Sequence, residues 1–271
     1  MTTGPGSLPV SSNDAKKSMG PFAVSGIVFA SLFGGAVLGM TLSAALPAHH
    51  LSADSKDAIK LATAIVATLS ALALGLLVAS AKTSFDTADT QLRDSIARTV
   101  LLDRIMAHYG PETREARAQL RQFVETSLRQ VWGDGGSGSA NPNAVGDDPG
   151  IEPVQVKLRA MAPQTEDQRS LLSRALQISG DIEEAHWLMF ERSEAGFPWP
   201  FLTILVFWLV TLFFSFGLLA PRNATVLCII FFCSLSVASA VFLIVDMEHP
   251  FFGFVQVSSA PLHDALDQLG R

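Results

Sequence analysis

Charge is scarce in this chain, and it is missing where it would matter most. Only 16% of the 271 residues are Asp, Glu, Lys or Arg, and four long apolar runs carry no charge in their interiors. Proton-coupled carriers place ionisable groups inside the membrane, so that class is disfavoured. There is no basic tract either. Asp and Glu outnumber Lys and Arg by 25 to 19, and nothing here neutralises a phosphate backbone, so nucleic acid is not an expected partner. Cysteine is limited to Cys228 and Cys233. Their spacing fits neither a Cys-x-x-Cys redox pair nor a zinc site, and they read as small apolar helix residues. No nucleophile–base pair, catalytic carboxylate pair or metal spacing stands out, so neither an enzyme nor a cofactor is expected.

What the chain has in quantity is long hydrophobic runs, and its mean hydropathy is +0.34. Residues 197–220 and 223–245 are each long enough to cross the roughly 30 Å hydrocarbon core, which takes about 20 apolar residues. Only Pro221, Arg222 and Asn223 lie between them, which predicts an antiparallel helical hairpin. The first run, residues 21–46, follows Lys16 and Lys17. It is far longer than the roughly 7–15 residues of a signal peptide, so it reads as a retained membrane helix. The second covers residues 59–81. The expected fold is therefore all-α: a polytopic membrane protein with four transmembrane helices and a helical cytosolic domain inserted between the second and third.

Side-chain size differs between the runs. Gly35 and Gly39 form a Gly-x-x-x-Gly pair on the first, with Ser31 one turn earlier, and such pairs let helix backbones approach closely in lipid. The second run is dense in Ala, Ser and Gly. The third is rich in Phe and Trp. Small residues suit helix contacts and bulky ones suit lipid, so helices one and two are expected inside and helix three outside.

The rest divides simply. Residues 1–20 read as a disordered tail, poor in apolar residues. His49 and His50 lie in a short polar loop after Pro47. Residues 83–196 hold 12 Lys and Arg against 18 Asp and Glu, which accounts for the whole net charge of −6. Within this soluble domain, residues 83–109 are expected to continue the second helix, and Gly110-Pro111 breaks it. A second helix follows over 111–132, and residues 133–150 form a Gly/Ser/Asn/Asp-rich flexible loop. Leu171, Ala175, Ile178, Ile182, Ala185 and Met189 step by 4, 3, 4, 3 and 4. That is a heptad seam, whose partner is either the 111–132 helix or another subunit. Gly180 within it suggests a bend or a close contact. Glu183 and His186 match Glu-x-x-His, but a di-metal bundle needs a second copy, and none is present. In the last part, 246–271, Asp246 with Pro250, Phe251 and Gly253 reads as a fixed turn at the membrane interface, followed by a short capped helix.

Several of these segments carry a resemblance. The stretch Asp246-Met-Glu-His-Pro250-Phe251-Phe-Gly253, then Val255-Gln-Val-Ser-Ser-Ala-Pro261-Leu262, resembles the closing signature of a bacterial family of bestrophin-like membrane proteins of unknown function. Ser84-Phe85 leading to Asp89 and Leu92, the break Tyr109-Gly110-Pro111-Glu112, and Gly217-Leu-Leu-Ala-Pro221-Arg222-Asn223-Ala224-Thr225 resemble it as well. The resemblance implies a four-helix membrane part, a helical cytosolic part and ring-shaped assembly, by analogy with anion channels of the bestrophin type. The acidic cluster of the bestrophin calcium clasp is missing, so calcium gating is not implied.

Two readings of function follow: an oligomeric anion channel, or a membrane-anchored helical adaptor or sensor without transport activity. The expected partners are the lipid bilayer, further copies of the chain and, for the channel, an inorganic anion. If the second helix surrounds a pore, Thr63, Thr68, Ser70 and Ser80 supply hydroxyls. Ile65, Leu69, Leu72, Leu76 or Leu77 then supply apolar rings, depending on the face turned inward. Sixteen of the 19 Lys and Arg fall on the side of the termini and the inserted domain, and only Lys56, Lys60 and Arg222 fall opposite. The positive-inside rule then puts both termini in the cytoplasm of a bacterial inner-membrane protein. Asn223 reads as a helix cap rather than a glycosylation site.

Overall fold

The computed structural model of the chain describes residues 20–45, 53–132, 150–194, 199–248, 250–251 and 253–270. The tail before residue 20, the His49/His50 loop and all of the 133–150 loop but its last residue fall outside the described residues. So does the side chain of Met189.

The described residues form eight α-helices and no strand: α1 (Pro21–Ala45), α2 (Ala53–Tyr109), α3 (Arg114–Trp132), α4 (Glu152–Arg159), α5 (Glu166–Glu194), α6 (Trp199–Leu219), α7 (Ala224–Met247) and α8 (Ala260–Gln268). Four of them, α1, α2, α6 and α7, are long and apolar enough to cross a membrane. The second crossing is one continuous helix of 57 residues, about 85 Å at 1.5 Å per residue and far longer than a bilayer core is thick. No proline interrupts it. Just past its apolar part, Lys82–Asp86 and Arg93–Asp89 pairs at i,i+4 spacing support the helix where it leaves the apolar run. It ends at Gly110, whose φ of 137° favours glycine. A Cβ there would also lie 2.5 Å from the Glu112 carboxylate. The Thr113 hydroxyl then donates to the Met106 carbonyl at 2.6 Å, satisfying one of the helix's last acceptors.

In the membrane part, α1 and α2 each pack on both α6 and α7. Neither α1 with α2, nor α6 with α7, makes an extended contact, so the four stand in the cyclic order α1, α6, α2, α7. This corrects two expectations. Helix three is not outside: α6 buries Leu202, Leu205, Leu209, Leu212, Phe213 and Gly217, and turns Phe201, Phe207 and Phe216 outward. Nor do helices one and two form the inside together: they make no extended contact, α2 is the least buried of the four, and α6 and α7 do not pack along their length. The reason is local. At Gly39 a Cβ would strike the Phe214 carbonyl oxygen and lie 2.9 Å from Leu218 N, and at Gly217 it would strike the Ala36 carbonyl. The two backbones touch there, so α1 and α6 pack at close range. At Gly35 a Cβ would meet Val210 at 3.2 Å, while Gly34 faces open space.

The second core joins the far half of α2 to α3, α4, α5 and α8. Leu102, Met106, Leu120, Val154, Leu158, Ile178, Ile182 and Leu262 lie within it. The seam on α5 places Ala175, Ile178 and Ile182 in this core and leaves Leu171 and Ala185 half-buried. Its partner is α2, not α3. Packed on both α3 and α5 is α4, a helix too short for its sequence pattern to reveal. It lies between α3 and α5, with Lys157 reaching Glu115 at 2.7 Å and Gln155 reaching Glu183 at 2.6 Å. The Lys157 ammonium holds the Glu115 carboxyl below its usual range by that hydrogen bond. Gly180 makes no close contact, since nothing lies within 4 Å of its Cβ position.

Candidate functional site

Two features concentrate the unusual geometry: the turn after α7 and the outward face of α2. Asp246 sits in the last turn of α7 and is 1% exposed. A buried carboxylate needs donors, and it finds them in the chain just beyond it. Phe254 N donates to Oδ1 and Val255 N to Oδ2, each at 2.8 Å. The backbone reaches the carboxylate only because Gly253 has no side chain there. Val257 N donates to the Pro250 carbonyl at 2.9 Å and closes the turn. Phe251 meets Trp132 edge-on, ring centroids 5.9 Å apart, and Trp132 Nε1 donates to the Val257 carbonyl at 3.2 Å. All four turn residues therefore act together, and they tie the end of α7 to the end of α3.

The same strap continues through α8. Asp103 on α2 is 4% exposed and takes a bidentate fork from Arg117 on α3, at 2.7 and 2.8 Å. That hydrogen bonding raises the Arg117 guanidinium above its ordinary value. Gly270 N donates to the same carboxylate at 3.3 Å.

The membrane part of α2 has two unlike faces. Thr63 and Ser70 are buried and Leu77 is half-buried, all turned toward α6 and α7. Ile65, Thr68, Leu69, Leu72, Leu76 and Ser80 are exposed on the other side, Leu72 and Leu76 to 72% and 71%. Only 11% of the most apolar stretch of α2 is buried, against 28–33% for the other three crossings. The Thr68 hydroxyl donates to the Ala64 carbonyl at 2.9 Å, so it presents lone pairs rather than a free proton. The nine candidate lining residues thus do not share one surface. Six face outward and three face the subunit's own interior. Ser70 Oγ, with Ser234 Oγ on α7, is buried with no hydrogen-bond partner.

A family model for the Bestrophin-like domain matches residues 30–262. That is most of the chain, from within α1 to within α8. The chain belongs to the bestrophin-like family. No curated protein and no solved structure matches it.

The bestrophin-like match takes in the Asp246 turn, which the sequence marks as special through a charge followed by Pro and Gly at the end of an apolar run. Three residues of this bestrophin-like chain were missed as participants. Trp132 read as the end of an amphipathic helix, yet it anchors the turn. Asp103 drew no reading of its own among the charges of residues 83–196. Arg222 read as a loop residue, but it donates from Nε and Nη2 to the Met40 carbonyl at 3.1 and 2.7 Å and so ties the α6–α7 turn to α1. Only Arg222 had a local signal: it is the sole charge between two membrane runs.

Proposed function

We propose that the chain is a subunit of an oligomeric anion channel, with copies arranged around an axis that the outward face of α2 lines. One observation carries this reading. The membrane helix least covered by its own subunit is also the one that runs unbroken into the second core. Exposed Ala64, Ala71, Gly75 and Ala79 flank the larger residues of that face and allow neighbouring copies of α2 to approach. Leu72 and Leu76 then form apolar rings suited to gating by dewetting, with Ser80 beyond them. Thr63, Ser70 and Leu77 drop out of the lining, because they hold α2 to α6 and α7. In such a ring α1, at the opposite corner, lies on the periphery. The charge distribution supports a bacterial inner-membrane location with the termini and the second core cytoplasmic.

Chloride flux into liposomes tests the proposal, using wild type, Leu76→Ala and Leu76→Asp. Ala should raise flux by widening the ring. Asp should suppress it by placing negative charge in an anion path. A well-folded oligomer that passes no chloride in any of the three proteins removes the channel reading and leaves the membrane-anchored adaptor.

A further inference from the structure

A cleft of about 480 Å³ opens between the last turns of α1 and the first turn of α7, at the end of the membrane part away from the second core. We propose that it binds an anionic phospholipid, with the phosphodiester head group on Arg222. The walls are apolar and run along the helix axes: Val37 and Met40 on α1, Ala224 and Leu227 on α7. Arg222 and Asn223, from the turn just ahead of α7, also line it. Two Arg222 nitrogens are fixed by the α1 carbonyls, so the guanidinium is held in place before any ligand arrives. Nη1 has no partner among the described residues, which leaves two N–H donors to offer a phosphate oxygen.

Position and charge both select the occupant. The cleft sits where the apolar spans of α1 and α7 reach their polar ends, which is the depth of lipid phosphates in a bilayer. Val37 and Leu227 lie about one turn further into the membrane than Arg222, where acyl chains begin. Among the described residues, Arg222 is the only charged one lining the cleft. A zwitterionic lipid would find no carboxylate there for its ammonium group, whereas an anionic phosphodiester needs only the cation. An occupant in this place would bridge α1 to α7 and brace the turn that joins α6 to α7. The site does not depend on conduction and stands whether or not the chain forms a channel.

Native mass spectrometry of the purified full-length protein tests this, titrating phosphatidylglycerol, phosphatidylcholine and inorganic phosphate separately. Wild type should hold phosphatidylglycerol about tenfold or more tighter than phosphatidylcholine, as expected for charge-assisted hydrogen bonds. Arg222→Gln should lose that preference. Leu227→Trp fills the cleft while leaving the Arg222 bonds to α1 intact, so it should lose it too, and it decides the matter if Arg222→Gln does not fold. Equal retention of both lipids by wild type, or unchanged preference in Leu227→Trp, overturns the proposal. Displacement of phosphatidylglycerol by inorganic phosphate overturns it as well, by making this a site for a free anion.

Discussion

The Asp246 carboxylate occupies the space that a side chain on residue 253 would need. A Cβ on Gly253 would lie 2.8 Å from Oδ1 and 2.9 Å from both Cγ and the Asp246 carbonyl oxygen. With that space shared, the carboxylate reaches the N–H groups of Phe254 and Val255 at once, and the chain after α7 folds back toward Trp132. Asp246 and Gly253 are thus one device: the acid supplies the acceptor and the glycine the access.

Asp246→Ala should therefore destabilise the protein by roughly 2–5 kcal/mol, the range for losing two charge-assisted hydrogen bonds and stranding their donors. Gly253→Ala should act in the same direction. Thermal unfolding in detergent measures both, and Trp132→Phe, which keeps the ring against Phe251 but deletes the bond to Val257, should cost less than either. Unchanged melting of Asp246→Ala would mean that the turn does not hold α7.

Glycines can be sorted by what surrounds them. Gly39→Leu and Gly217→Val should disrupt the α1–α6 crossing, at about 3 kcal/mol or more, because backbone atoms there cannot give way. Gly34→Ala should be nearly neutral. Gly180→Ala should raise stability by about 1 kcal/mol, the intrinsic helix gain, since its Cβ meets nothing. The same unfolding assay ranks all four, and a costly Gly180→Ala would contradict the open space beside α5.

Cysteine scanning of α2 separates its two faces. In a background without Cys228 and Cys233, cysteines at positions 72 and 76 should react with a membrane-impermeant anionic thiosulfonate and lower chloride flux. Cysteines at 63 and 70 should not react. A lipid-facing thiol stays inert because the reagent needs water, so silence at 72 and 76 would place that face in lipid rather than around a pore.

Sidedness has its own test. A single cysteine at Ser137 should label in intact cells only after permeabilisation. Strong labelling from outside would reverse the orientation drawn from the Lys and Arg distribution.

Breaking the Asp103–Arg117 fork by Asp103→Ala should cost roughly 2–4 kcal/mol, less than a fully buried ion pair because Arg117 keeps some contact with water. Proteolysis should then cut near the C-terminus first, since Gly270 loses its acceptor together with the fork. Equal protease resistance of wild type and variant would show that the strap is held elsewhere.

The sequence by itself determined the features that depend on short stretches. A run of about twenty apolar residues is long enough to cross a bilayer whatever its neighbours, so all four candidate spans were legible. Asn223 was readable as a helix cap, and its side chain accepts from Val226 N at 2.9 Å. The break at Gly110-Pro111 and the turn at Asp246 were also local, written in residues with few conformational options. Which face of each membrane helix meets protein was decided only by tertiary structure. A run apolar all round carries no stripe that points inward, because lipid and protein core are equally apolar solvents for its side chains. Shape then decides: backbone contact at Gly39 and Gly217 drew α6 to α1, set α1 and α2 at opposite corners and so divided Thr63, Ser70 and Leu77 from Ile65, Leu72 and Leu76. In the second core the heptad seam announced that α5 needs a partner but not which one. That choice lay in the packing of the whole core, which includes α4, eight residues long, too short for its periodicity to stand out and yet packed on both α3 and α5.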